Sequence, residues 1–206
     1  MARRRRDLDL SPETLLSAYA SGAFPMADPD TGRIHYYTCD PRCIVPLDDR
    51  FHVPSSLARR VRSGRFELRC DSAFGEVIRA CAVDRDPENR TWIDPTIIAA
   101  YERLHELGFA HSVEAWRDDR LVGGLYGVAL GRAFFGESMF CRPELGGTDA
   151  SKVCLVRLVA ELRSRGFLLL DSQYANDHVL RFGAVEIAAR EYGRLLQRAL
   201  EAGRGW

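Results

Sequence analysis

The chain has 206 residues, 46% of them apolar, which suits a soluble globular protein with a core of ordinary size. Its 29 basic residues are balanced by 29 acidic ones, so overall charge calls for no polyanion partner. No apolar run is long enough to cross a bilayer, so no membrane is expected.

The N-terminal run Arg3–Arg6 is followed by Asp7-Leu8-Asp9, where an export signal would carry its apolar stretch. Residues 1–10 therefore read as a disordered basic tail. Ser11 and Pro12 open a helix, with Leu15, Leu16 and Tyr19 on one face and Gly22 at its end. Phe24-Pro25-Met26 reads as a sharp turn, followed by a turn cluster at 28–32. Short strands are expected at 34–38 and 43–46, around Asp40-Pro41-Arg42. A basic helix is expected at 54–63. Between 51 and 69 stand Arg59, Arg60, Arg62, Arg65 and Arg69 against one acid, Glu67, a local charge that suits a phosphate backbone or a solvated helix face. Residues 1–64 read as a small, loop-rich subdomain.

The remainder is more regular. A strand at 66–70 and a helix at 72–82 precede a polar loop at 84–90. Asp94-Pro95 caps a helix running to Gly108. Strands follow at 110–117, 121–129 and 132–139, the first two joined by Asp118-Asp119. A helix at 150–166 leads to an apolar strand at 167–171, buried on both faces, and helices at 175–181 and 190–200 close the chain. The order β-α-α-β-β-β-α-β-α is similar to that of the Gcn5-type N-acyltransferase fold. The expected class is α+β with a mixed sheet, and residues 65–206 form the expected catalytic domain.

The six cysteines, Cys39, Cys43, Cys70, Cys81, Cys141 and Cys154, follow no recognisable secretory signal. Reduced thiols in a cytoplasmic protein are the expectation. Cys39 and Cys43 lack a second pair or a histidine cluster, so no metal is expected.

Nine short motifs stand in order: Tyr19-x-x-Gly22-x-Phe24-Pro25-Met26, Asp40-Pro41-Arg42, Thr91-Trp92-Ile93, the run from Ala110 to Trp116, the run from Leu121 to Gly127, Gly136-Glu137-Ser138-Met139-Phe140, Ala150-Ser151-Lys152, Asp171-x-Gln173 and Gly183-Ala184. Together they resemble the leucyl/phenylalanyl-tRNA–protein transferases of bacteria, from about residue 11 to the C-terminus. The resemblance implies transfer of Leu or Phe from aminoacyl-tRNA to a protein beginning with Arg or Lys, which marks that protein for degradation. It implies no cofactor, because the ester is already activated. A monomer is expected.

What the resemblance implies for single residues is as follows. Asp171 and Gln173 form a relay in which Asp171 orients or polarises the Gln173 amide, which holds the attacking amine. Strand alternation puts both on one face. Glu137 receives the acceptor's cationic side chain through charge-assisted hydrogen bonds. Leu125, Phe134 and Leu162 line the aminoacyl pocket. Trp92 stacks the terminal adenosine, with Met26 standing where many relatives carry Trp, and Tyr19 beside it. Arg59, Arg60, Arg62 and Arg65 meet the acceptor stem. Ser138 and Asn176 are further site candidates. The alternative is an acetyl-CoA-dependent N-acetyltransferase that uses the Gly-bearing segment 142–147, although Asp149 at the following helix start would repel phosphate.

Overall fold

The computed structural model describes residues 9–28, 30–83, 90–203 and 205–206. Residues 1–8 of the expected basic tail and 84–89 of the expected polar loop lie outside them. Helix starts follow the local signals. In α1 (Pro12–Ala20) the Ser11 hydroxyl accepts from the Thr14 N–H at 3.4 Å, and in α4 (Pro95–Glu106) Asp94 accepts from the Ile97 N–H at 2.8 Å. Both helices begin with proline, whose missing N–H is one that the first turn leaves unused anyway. Helix α3 (Phe74–Cys81) has no capping side chain of its own. The fully buried carboxylate of Glu114, from strand β5 (Ala110–Arg117), accepts instead from the Ser72 and Ala73 N–H groups at 3.0 and 3.1 Å.

Strands β5 and β6 (Arg120–Leu130) form a hairpin whose two turn residues, Asp118 and Asp119, have φ of 51° and 53°. This is the left-handed pair that matches strand twist, and aspartate tolerates it. Strand β7 (Ala133–Cys141) continues the meander. Among the described residues the large sheet has seven strands in the order β4-β5-β6-β7-β8-β3-β9. Its remaining members are β4 (Glu67–Cys70), β8 (Leu169–Gln173), β3 (Arg42–Val45) and β9 (Val185–Ile187). Among these described strands only β7 and β8 run parallel. They are joined by helix α5 (Ala150–Ser164), which crosses one face with α2 (Ser55–Arg62) packed on it. Helices α1, α3, α4 and α7 (Ala189–Glu201) cover the other face. The short α6 (Asp177–Leu180) follows β8.

The expected sharp turn at Phe24-Pro25-Met26 is instead strand β1 (Phe24–Ala27), which pairs antiparallel with β2 (Ile34–Tyr37). A two-stranded ladder leaves one side of each strand free of hydrogen bonds, so Pro25 is tolerated. Strand β9 was not expected, because three residues are too few to show alternation. Strand β3 belongs to the segment expected as a separate subdomain, yet it lies inside the large sheet between β8 and β9. The expected division at residue 64 thus separates β3 from its sheet partners.

Candidate active site

Strands β7 and β8 pair only where Ala133–Phe135 face Leu169–Asp171. Beyond that point β7 keeps its bonds to β6, and β8 keeps its bonds to β3. The two parallel strands therefore part, and the gap is a cavity of about 330 Å³. Its apolar lining includes Val45, Leu125, Leu155, Leu158, Leu170 and Val179, and its polar lining includes Glu137, Ser138, Asp171, Gln173 and Asn176. Sites for small molecules commonly combine an apolar wall with a few polar groups in a volume of roughly 300–1,000 Å³.

Glu137 enters this gap through a strand defect. Opposite β7, Tyr126 faces Ser138 and Gly127 faces Gly136, so Glu137 has no partner in the ladder. Such a bulge re-aims the extra side chain. The residue is half-buried, while its Oε1 is sealed from water and accepts no hydrogen bond. Burial pushes its carboxyl up to about 8; hydrogen bonds from Tyr19 and Tyr101 oppose that rise, the Asp171 charge adds to it and Arg42 counters it. Tyr19 and Tyr101 are both wholly buried, and their hydroxyls are also bonded to each other.

Asp171 is fully buried. The Arg42 guanidinium meets it in a fork, Nε to Oδ1 at 2.9 Å and Nη2 to Oδ2 at 2.5 Å. The Tyr192 hydroxyl donates to Oδ2 at 2.9 Å, and the backbone N–H of Gln173 donates to Oδ1 at 2.9 Å. The carboxylate thus engages the backbone of Gln173 and not its amide. Gln173 sits at a φ of 55°, so β8 ends in a left-handed residue and simple alternation stops there. Gln173 lines the cavity, and its Nε2 is buried without a partner.

The other expected site residues distribute unevenly. Leu125 lines the cavity, but Phe134 and Leu162 do not. Both are completely buried in the core cluster that α5 shares with the sheet. Phe134 lies in the part of β7 still paired with β8, and Leu162 lies seven residues along α5 from Leu155. Leu155, Leu158, Leu170 and Val179 line the cavity instead; their spacing is that of any buried helix or strand, so nothing in sequence marks them. Ser138 lines the gap. Asn176 does too, but its Oδ1 caps α6 by accepting from His178 and Val179 N–H groups at 3.0 and 3.1 Å. Tyr19 is enclosed against Tyr101 and Phe135 and offers no face to a base. Met26 and Trp92 are half-buried, and they are brought near one another where the Ala27 N–H bonds the Trp92 carbonyl at 3.1 Å. On α2, Arg59 and Arg62 are exposed, Arg60 pairs with Asp149 at 3.2 Å, and Arg65 beyond its end donates to the Gly146 carbonyl at 3.1 Å. Arg42, Tyr101 and Tyr192 were missed. An arginine in a turn motif and tyrosines on amphipathic helices carry no local sign that they will meet a buried carboxylate.

The family described as leucyl/phenylalanyl-tRNA protein transferase matches residues 44–197, and its N-terminal domain matches residues 8–40. A leucyl/phenylalanyl-tRNA–protein transferase of Akkermansia muciniphila is 58% identical over 192 residues, 93% of this chain and 97% of that protein. One of Salinibacter ruber is 51% identical over 198 residues, 96% of this chain and 84% of that protein. Among solved structures, a GCN5-related N-acetyltransferase-like protein from Streptococcus suis superposes with a TM-score of 0.43 at 14% identity, over 85% of this chain and 63% of that one. A ribosomal-protein-alanine N-acetyltransferase from Brucella melitensis gives 0.39 at 17% identity, over 68% and 94%. The full-length sequence matches make the protein a transferase, and they favour aminoacyl transfer over the acetyl-CoA alternative. The chain belongs to the leucyl/phenylalanyl-tRNA–protein transferase family.

Proposed function

We propose that the cavity between β7 and β8 holds the leucyl or phenylalanyl side chain of an aminoacyl-tRNA, and that the α-amine of a protein beginning with Arg or Lys enters beside Glu137 and Gln173. The observation that supports this reading best is one gap that joins an apolar floor to Glu137 and Gln173, two residues that each carry a buried polar atom without a partner, Oε1 and Nε2. The amine lone pair attacks the ester carbonyl carbon, the C–N bond forms, the C–O bond to the ribose breaks, and the amine proton ends on the departing oxygen. Placing the reactants accounts for much of the rate in such a step. A free amide N–H at the wall suits the oxygen on which charge develops.

Burial favours the protonated form of Glu137 at neutral pH. A guanidinium or ammonium entering the gap favours the ionised form, so acceptor binding releases a proton. Trp92 and Met26 flank the adenosine, and Arg59 and Arg62 meet backbone phosphates, with Arg60 and Arg65 partly engaged within the protein. The reaction belongs in the cytoplasm, where charged tRNA is made, and it asks for no second copy of the chain. No helix among the described residues is long and apolar enough to cross a membrane. The test is incubation with radiolabelled Leu-tRNA and a reporter peptide beginning with Arg. Label at the peptide's N-terminus is expected. Equal labelling of a peptide beginning with Ala removes the role given to Glu137, and no labelling of either removes the reading.

A further inference from the structure

We propose that Arg42 is a positioning residue: through Asp171 it fixes the left-handed turn at Gln173 and so keeps the Gln173 amide unspent at the wall of the cavity, with Tyr192 as a second support. The inference rests on the reading of that cavity as the site of transfer. Arg42 is 1% exposed and is held from every side. Its guanidinium carbon lies 4.9 Å from the centre of the Phe24 ring and 4.6 Å from that of Tyr192. Its Nη1 donates to the Gly22 carbonyl at 2.9 Å, while Nε and Nη2 form the fork to Asp171. The group therefore has one orientation, set by α1, β1, β3 and α7 together.

That orientation is passed to Asp171. A carboxylate accepts about four hydrogen bonds, and this one has four: two from Arg42, one from Tyr192 and one from the Gln173 N–H. No lone pair remains for the Gln173 side chain, so Asp171 acts on Gln173 through the backbone and not by polarising its amide. The other end of the residue is also tied, since the Cys39 thiol donates to the Gln173 carbonyl at 3.3 Å and Arg42 Nη1 lies 3.8 Å from that sulfur. A left-handed glutamine and a buried N–H without a partner are each unfavourable alone. They persist together because both ends of the residue are held. The result is a buried donor, on a residue that lines the gap, that has no partner among the described residues.

The experiment uses the full chain with Arg42→Lys, which keeps the charge and loses the fork, and Tyr192→Phe, which removes a single hydrogen bond. For transfer of labelled Leu to an Arg-starting peptide, Arg42→Lys is expected to lower kcat about 10- to 100-fold, the effect of a misplacement of about an ångström. KM for Leu-tRNA should stay within about threefold. Tyr192→Phe, which leaves the fork intact, is expected to show the same split at smaller size and serves if the lysine variant does not fold. Backbone hydrogen exchange gives a readout that needs no tRNA: the Gln173 N–H should lose protection in both variants while β6 amides keep theirs. A kcat per folded molecule equal to wild type, or retained Gln173 protection, overturns the proposal. If the wild type transfers no Leu, the reading of the function fails, and the exchange result still decides whether Arg42 sets the Gln173 turn.

Discussion

At Glu137 two influences oppose each other. Removal from water drives its carboxyl up and hydroxyl donors from Tyr19 and Tyr101 pull it down, and burial prevails at about 8. The raised value has a consequence for stability. An unfolded chain releases this proton near the ordinary 4.5, whereas the folded chain holds it to about 8. Between those values the folded state binds more protons, so stability falls as pH rises, then levels off. Glu137→Gln removes the titration. The thermal midpoint of the wild type should therefore decline more across that window than that of the variant, and parallel curves for the two would show that Glu137 does not carry the shift. Motif spacing marked Glu137 as chemically important, but only the unpaired place in β7 explains its burial. Phe134 shows the converse. It was assigned to the pocket, yet it fills core space against Phe167 and Trp206.

Among the elements, β6 and β7 decide the site by being imperfect. Gly127 lies opposite Gly136 at the bulge, and a Cβ there would run into the Phe134 ring and the Phe135 carbonyl. Gly127→Ala must either straighten the bulge or displace Phe134. A loss of about 1–3 kcal/mol in denaturant unfolding is expected, together with weakened transfer; unchanged stability would mean that the strands have room that the geometry denies. Helix α2 is legible from its arginines but not from their engagement. Arg60 is held by Asp149, which also binds Lys152 at 2.7 Å at the start of α5. Arg59 and Arg62 stay exposed. Replacing these two with Ala should lower the slope of log affinity for tRNA against log salt by about 1.4–1.8, at about 0.7–0.9 per phosphate contact. The same slope in both proteins would remove α2 from the tRNA interface.

The whole molecule is arranged so that one sheet changes partners along its length. Strand β8 leaves β7 and stays with β3, which comes from the N-terminal third, and the cavity is the space that this exchange opens. The same route brings Arg42 to Asp171 and Tyr19 to Glu137. Cavity volume should therefore set which aminoacyl group is used. Leu125→Phe extends a side chain into a space of about 330 Å³. Transfer of Phe should fall more than transfer of Leu, by about 10-fold or more in relative kcat/KM, a range typical of methylene-scale pocket differences. An equal effect on both would place the side chain elsewhere.

By itself the sequence determined most of the elements, though not β1 or β9, and the family. Ser11-Pro12 and Asp94-Pro95 cap helices through contacts three residues away, and Asp118-Asp119 makes its own turn between β5 and β6. These effects act over a few residues, so they are written in adjacent letters. The tertiary structure alone decided that β7 and β8 separate, that Glu137 loses water, and that Arg42 forks onto Asp171 129 residues later. Desolvation and strand pairing depend on what the distant chain places alongside, and no local pattern carries that information.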